Sequence, residues 1–394
     1  MLTSLALIFL CGLFLGAIFQ KLKLPSLIGM LITGIILGPY VLNLLDSSIL
    51  LISADLRELA LIIILTRAGL SLDLDDLKKI GRPAILMSFV PACFEMTGTI
   101  LIAHNLFNMP LLDAAVLGSV VASASPAVIV PRMINLIEKR YGTNKSIPQL
   151  ILAGDSVDDI FNIVVFTSLI GLYSGEHISP IRFAQIPVSI VLGIALGIIL
   201  GYLLVLLFKK IHMRDSAKVI LMLGIAFLLV TLGDKTENIF PFSGLISVMA
   251  MGVIVLKDYP IVAKRISNKF SKLWVAAEII LFVLVGASVN ISYLSSAGIK
   301  TIILLISVLI VRAIGILLCL AKTNLNMKER IFCTFTGIPK ATVQATIGAI
   351  PLSMGLPNGE LILAIAVISI LFTAPVGAII LDKTYNKLLT REAK

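Results

Sequence analysis

The feature that most constrains this chain is its series of uninterrupted apolar runs. A helix needs about 17 to 25 apolar residues to cross a hydrocarbon core about 30 Å thick. About thirteen runs of that length occur, near residues 2–20, 24–42, 52–70, 83–105, 111–136, 147–173, 184–208, 217–233, 239–256, 273–290, 300–321, 330–352 and 361–381. Lipid offers no water to satisfy backbone N–H and C=O groups, so such runs must form helices. Only 14% of residues are charged and 58% are hydrophobic, whereas a soluble domain carries about 25% charged residues. The expected fold is therefore an all-α polytopic membrane protein of about thirteen spans, with no soluble domain left over.

A net charge of +10 would suit a nucleic-acid binder, but its distribution along the loops reports topology instead. Of the 32 lysines and arginines, only Arg182, Lys235 and Lys300 lie in the even-numbered connections. Arg57 is ambiguous, Arg312 and Lys340 lie within spans, and the rest fall in the odd-numbered connections and the C-terminal tail. The positive-inside rule then places the N-terminus outside and the C-terminus in the cytoplasm, as an odd span count requires, with the cell membrane as the expected location. The first run has no charge before Lys21, so it lacks the basic region of a cleaved leader and reads as a retained span. Cys11, Cys93, Cys319 and Cys333 lack metal-type spacing and His104, His177 and His212 are scattered, so no disulfide framework or structural metal is expected. The charge distribution leaves nucleic acid out of the expected partners; there is no Walker-type phosphate loop, so no nucleotide is expected either, and no enzymatic role or cofactor is anticipated.

The string GDSVDDIFN places Asp155, Asp158 and Asp159 inside the run 147–173. At 1.5 Å per residue, Asp158 and Asp159 lie roughly 17 Å along it, near the middle of the bilayer. Carboxylates at that depth are costly and by default mark an ion or proton site. Two adjacent ionised acids repel, so the pair favours bound protons or a bound cation. Asp155 precedes Asp159 by four residues and shares its face, either as a third ligand or, more plainly, as a polar step in an inner funnel.

Spans 1–6 (residues 1–183) pair with spans 8–13 (211–394), with span 7 (184–210) as a linker. An offset of seven, an odd number, makes matched spans run in opposite directions, as in the inverted repeats of secondary transporters. Unusual features recur at matched positions. Span 5 contains SASPAVIVP, where Pro126 and Pro131 delete backbone donors and Ser123 and Ser125 compete for backbone bonds; span 12 contains GIPKATVQA, with Gly337 and Pro339. Both helices are expected to break near the midplane, leaving free helix ends beside the acids. Glu95 in span 4 and Arg312 in span 11 both lie roughly 17–18 Å deep, and a structural ion pair is the favoured reading over direct ion binding. Lys340, at the second break, either neutralises loose carbonyls at a half-helix end, or compensates Asp158 or gates proton release. Glu278, about six residues into span 10 from the inner side, reads as an interface residue, with a pH-sensing mouth as the alternative. Gly193, Gly197 and Gly201, and likewise Gly34 and Gly38, form small-residue stripes for close helix packing.

Together AGDSVDDIFNIVVF, SASPAVIVPRM, LTRAGLSLD and GIPKATVQATIG resemble the sodium/proton antiporters of the monovalent cation:proton antiporter-2 superfamily, in particular its NHA branch. The resemblance runs from span 3 nearly to the end of the chain. It implies a homodimer in the membrane, with two broken helices crossing beside the acids. It also implies a mobile core domain, from spans 4–6 and 11–13, working by elevator-like alternating access. Transported Na+ or Li+ would exchange for protons at Asp159, the principal ligand, and its neighbour Asp158, with Ser123, Ser125 and Asp155 as candidate further ligands. The NHA branch is similar in having Arg at the position of Arg312 and an acid at that of Glu95, while Asp155 departs from the usual small residue. A K+/H+ antiporter is the nearest rival reading, and a sodium-coupled organic-anion symporter of similar fold a more distant one.

Overall fold

A computed structural model describes residues 1–71, 81–173, 180–236 and 242–392, without the side chains of residues 156, 160, 180–187, 234 and 291–297. His177, the Leu72–Asp73 end of LTRAGLSLD, the start of the run 239–256 and the side chain of Arg182 lie outside that description. Among the described residues the chain is helical, with one isolated bridge between Tyr141 and Arg391 and no strand.

The first helices are α1 (Leu2–Lys21), α2 (Ser26–Leu37), the short α3 (Ser47–Leu51) and α4 (Ser53–Gly69). Then come α5 (Arg82–Met87), α6 (Val90–Phe107), α7 (Leu111–Val121), α8 (Pro126–Glu138) and α9 (Ile147–Gly171). The long α10 (Pro180–Lys210) is followed by α11 (Asp215–Thr236), α12 (Gly244–Asp258), α13 (Pro260–Ala287) and α14 (Ile291–Cys319). The chain finishes with α15 (Met327–Thr336), α16 (Thr342–Ile347), α17 (Ile350–Ser353) and α18 (Gly359–Leu388). Eight helical stretches among the described residues are long and apolar enough to cross a membrane. The other apolar runs coincide with the shorter α2, α4 and α12, with α9 and its three carboxylates, and with the interrupted stretch α15–α17.

The chain packs as two compact units. One comprises Met1–Ala54, Asp75–Phe166 and Ile279–Lys394; the other comprises Asp55–Leu74 and Thr167–Glu278. In the second unit, α10 lies against α12. A Cβ at Gly193 would come 2.8 Å from the Ser243 carbonyl oxygen, one at Gly197 would run into the Ser247 carbonyl, and one at Gly201 would sit 2.7 Å from Ile254 Cβ. That glycine stripe is thus an internal packing seam. Gly34 of α2 and Gly38 just past its end play the same part in the first unit, against the Val283 and Ala287 backbone of α13.

Both interrupted helices belong to the first unit. Between α7 and α8 the chain leaves helical geometry over residues 122–125; between α15 and α16 it does so over 337–341. The prolines of span 5 act differently from the sequence expectation. Pro126 occupies the first turn of α8, where its missing N–H would have no intrahelical partner anyway, and Pro131 lies inside α8 without ending it. The break thus precedes both prolines.

Candidate functional site

Two backbone interruptions meet directly. The Ser125 N–H donates to the Pro339 carbonyl at 2.9 Å, and the Gln344 side-chain amide donates to the carbonyls of Val120 at 3.1 Å and Ser123 at 3.0 Å. The backbone N–H of Lys340 is held by the Thr373 hydroxyl of α18 at 2.9 Å. Each break therefore supplies polar backbone groups that the other break, or a neighbouring helix, satisfies, as a membrane interior requires.

Four charged side chains gather around the first break. Arg312, on α14, donates from Nη2 to Asp158 Oδ2 at 2.8 Å and from Nη1 to Glu95 Oε2 at 3.0 Å. Lys340 Nζ reaches the same Glu95 oxygen at 2.7 Å. Glu95 and Lys340 are fully buried, Asp158 nearly so. Close packing of α6 on α14 sets the alignment, since a Cβ at Gly98 would stand 3.3 Å from Val311 Cγ1. Two cations thus face two carboxylates in one closed network, which is how buried charges escape the cost of being unpaired.

The network also caps the helix ends. Arg312 Nη1 donates to the Ala122 carbonyl just beyond the C-terminus of α7, and the Ala124 N–H, just before α8, donates to Asp158 Oδ2 at 3.1 Å. A cation thus meets the negative end of one half-helix and a carboxylate the positive end of the next.

Asp159 is placed differently from its neighbour. It is partly exposed, accepts a hydrogen bond from the Ser123 hydroxyl, and forms no ion pair among the described residues. Asp155, one turn earlier, is buried and lines a small cavity with Asp158, Arg312, Ala124 and Thr336; its Oδ2 and Asp158 Oδ1 have no hydrogen-bond partner among the described residues. Ser125, another sequence candidate, contributes its backbone N–H to the crossing, while its buried hydroxyl makes no hydrogen bond among the described residues.

Residues 5–387 match the family described as "Sodium/hydrogen exchanger, transmembrane". The chain belongs to the sodium/hydrogen exchanger family. It is 29% identical to human sodium/hydrogen exchanger 9B2, over 98% of this chain and 75% of the relative. It is 32% identical to mouse sodium/hydrogen exchanger 9B1, over 98% of this chain and 71% of the relative. Its fold is similar to that of the sodium proton antiporter MjNhaP1 from Methanocaldococcus jannaschii at pH 8, with a TM-score of 0.85, 21% identity and 98% of both chains covered. The fold is therefore that of a membrane antiporter. For a member of the exchanger family, the grouping of paired acids, broken helices and a balanced charge network in one unit is the site to be explained.

Several participants were not singled out in the sequence. Gln344 lies within GIPKATVQA, and a fully buried amide in an apolar stretch was a usable signal. Thr373 on α18, Asn162, whose amide donates to the Asp158 carbonyl at 2.7 Å, and the backbone of Ala122 and Ala124 carried no such mark. Lys340 sits in the second break as expected, but its ammonium bonds the Glu95 carboxylate, since a buried ammonium gains more from a carboxylate than from a helix-end carbonyl.

Proposed function

We propose that this chain exchanges a small monovalent cation, sodium or lithium, for protons across the membrane, with both competing for Asp159. Family membership and the names of its relatives support the reaction class. The observation that carries the residue assignment is the contrast between adjacent acids. Asp158 is committed to Arg312 and to the start of α8, whereas Asp159 accepts one hydroxyl hydrogen bond. A carboxylate without a fixed counter-cation takes a proton or a metal cation in its place.

In this reading Asp158, Glu95, Arg312 and Lys340 hold the broken helices as a scaffold and carry no ion themselves. Ser123 orients Asp159, and Asp155 lines the inner approach as a further ligand. The guanidinium of Arg312 stays charged through the cycle, because an arginine cannot release a proton as a lysine could. The two breaks belong to inverted repeats over residues 1–183 and 211–394, joined by span 7. Core helices from spans 4–6 and 11–13 move relative to a static dimerisation domain, in a homodimer with its N-terminus outside and its C-terminus in the cytoplasm. Driven by ion gradients, the exchange requires no nucleotide or cofactor.

Purified protein in liposomes carrying a pH-sensitive dye tests the reading. Addition of sodium or lithium to the wild type dissipates a preset pH gradient, while Asp159→Asn, folded and reconstituted equally, does not. Wild-type rates in Asp159→Asn would remove that residue from the site.

A further inference from the structure

The carbonyls of the first break show an unusual regularity. A helix end leaves its last four C=O groups without intrahelical partners, and such oxygens are ready-made ligands for a dehydrated cation. Here the carbonyls of Val120, Ala122 and Ser123 already have a donor. Gln344 Nε2 takes Val120 at 3.1 Å and Ser123 at 3.0 Å, with Val121 at 3.5 Å. Arg312 takes Ala122.

Gln344 is responsible for two of these oxygens, one for each hydrogen of its NH2 group, and lies beside a third. With three carbonyls around it, that end of the amide must be the NH2 group. The opposite end, Oε1, is buried with no hydrogen-bond partner among the described residues. A buried orphan oxygen is costly, so the side chain's orientation is set by the carbonyls it holds. Ser123 is the residue whose hydroxyl donates to Asp159, so the clamp acts on the backbone of the site itself.

We propose that Gln344 determines cation selectivity by withholding the carbonyls of Val120 and Ser123 from the transported ion. Ion selectivity depends on cavity size and on the number and field strength of coordinating oxygens. With the carbonyls held back, a cation at Asp159 meets a strong carboxylate and a hydroxyl but few neutral dipoles, an arrangement that favours sodium and lithium. Released carbonyls would enlarge the shell and admit potassium. The inference rests on Asp159 as the exchange site, and Gln344 acts in it as a positioning residue that need not touch the ion.

The test uses full-length protein with Gln344→Met, which keeps the length of the side chain and removes its donors, and Gln344→Leu as a second apolar replacement. KM for Na+, Li+ and K+ is measured in proteoliposomes. The rise in unfolding midpoint caused by each cation is measured separately in detergent. The expected result is a fall of about tenfold in the ratio of the K+ to the Na+ KM, with the midpoint shifts changing rank in the same direction. An unchanged ratio in folded variants overturns the proposal. So does an equal weakening for all three ions together with lost stability, or the failure of both variants to fold, since each makes the amide a packing clamp. Absence of sodium exchange in the wild type would instead overturn the functional reading, while the midpoint shifts still decide selectivity.

Discussion

The guanidinium of Arg312 lies 2.8 Å from the carboxylate of Asp158, the immediate sequence neighbour of Asp159. Adjacent residues on a helix point about 100° apart, so the two acids of one motif face different surroundings. Asp158 looks toward α14 and the start of α8, Asp159 toward Ser123.

Asp158→Asn and Asp159→Asn should therefore fail in different ways. Removing the Asp158 charge leaves Arg312 with one carboxylate partner and should cost about 3–5 kcal/mol of stability, as for other broken buried pairs. Asp159→Asn should retain a wild-type unfolding midpoint and lose exchange. Thermal unfolding in detergent, run beside the dye assay, distinguishes them; equal destabilisation of both would merge the roles separated here.

Glu95 and Arg312 should show strong energetic coupling. Glu95→Ala strands two cations against Asp158, and Arg312→Ala strands two acids against Lys340; the double variant leaves one charge of each sign. Each single change should be destabilising by about 3–5 kcal/mol and the double by clearly less than the sum. Strict additivity in a double-mutant cycle would falsify the shared network.

The second break is braced by α18. A Cβ at Gly377 would lie 2.5 Å from Pro339 Cγ, against a ring that cannot rotate away. Gly377→Val should therefore displace Pro339, weaken its carbonyl bond to the Ser125 N–H, and slow exchange at least tenfold if the crossing is needed at the site. Pro126→Ala, at a first-turn position that tolerates either residue, should change the rate little. Equal effects of the two substitutions would indicate that the crossing does not matter to transport.

Asp155→Ser keeps an oxygen in the small cavity beside Asp158 but removes its charge. The expected outcome is a rise in KM for sodium of about tenfold or less with the maximal rate retained, measured with the cation supplied from the cytoplasmic side. A KM within error of the wild type would exclude Asp155 from binding.

Much of this architecture was written in the residues themselves. Apolar runs of bilayer length leave helices as the only way to satisfy the backbone, and carboxylates at mid-depth mark the candidate site because lipid penalises them. Gly337 and Pro339 marked the second interruption, and the equal depths of Glu95 and Arg312 suggested their partnership, because spacing along a helix converts directly into depth. Rotation about the helix axis and the choice of neighbours across the bundle do not follow from spacing along one segment. Only tertiary packing decided that Arg312 takes both Glu95 and Asp158, that Lys340 turns to Glu95, and that Gln344 crosses to the carbonyls of the other broken helix. It also located the first break before Pro126: the carbonyls and amides of residues 122–125 can leave the helix because Arg312, Gln344, Pro339 and Asp158 stand ready to bond them. Local sequence determines which groups must be satisfied inside a membrane, and the long-range approach of distant segments determines by whom.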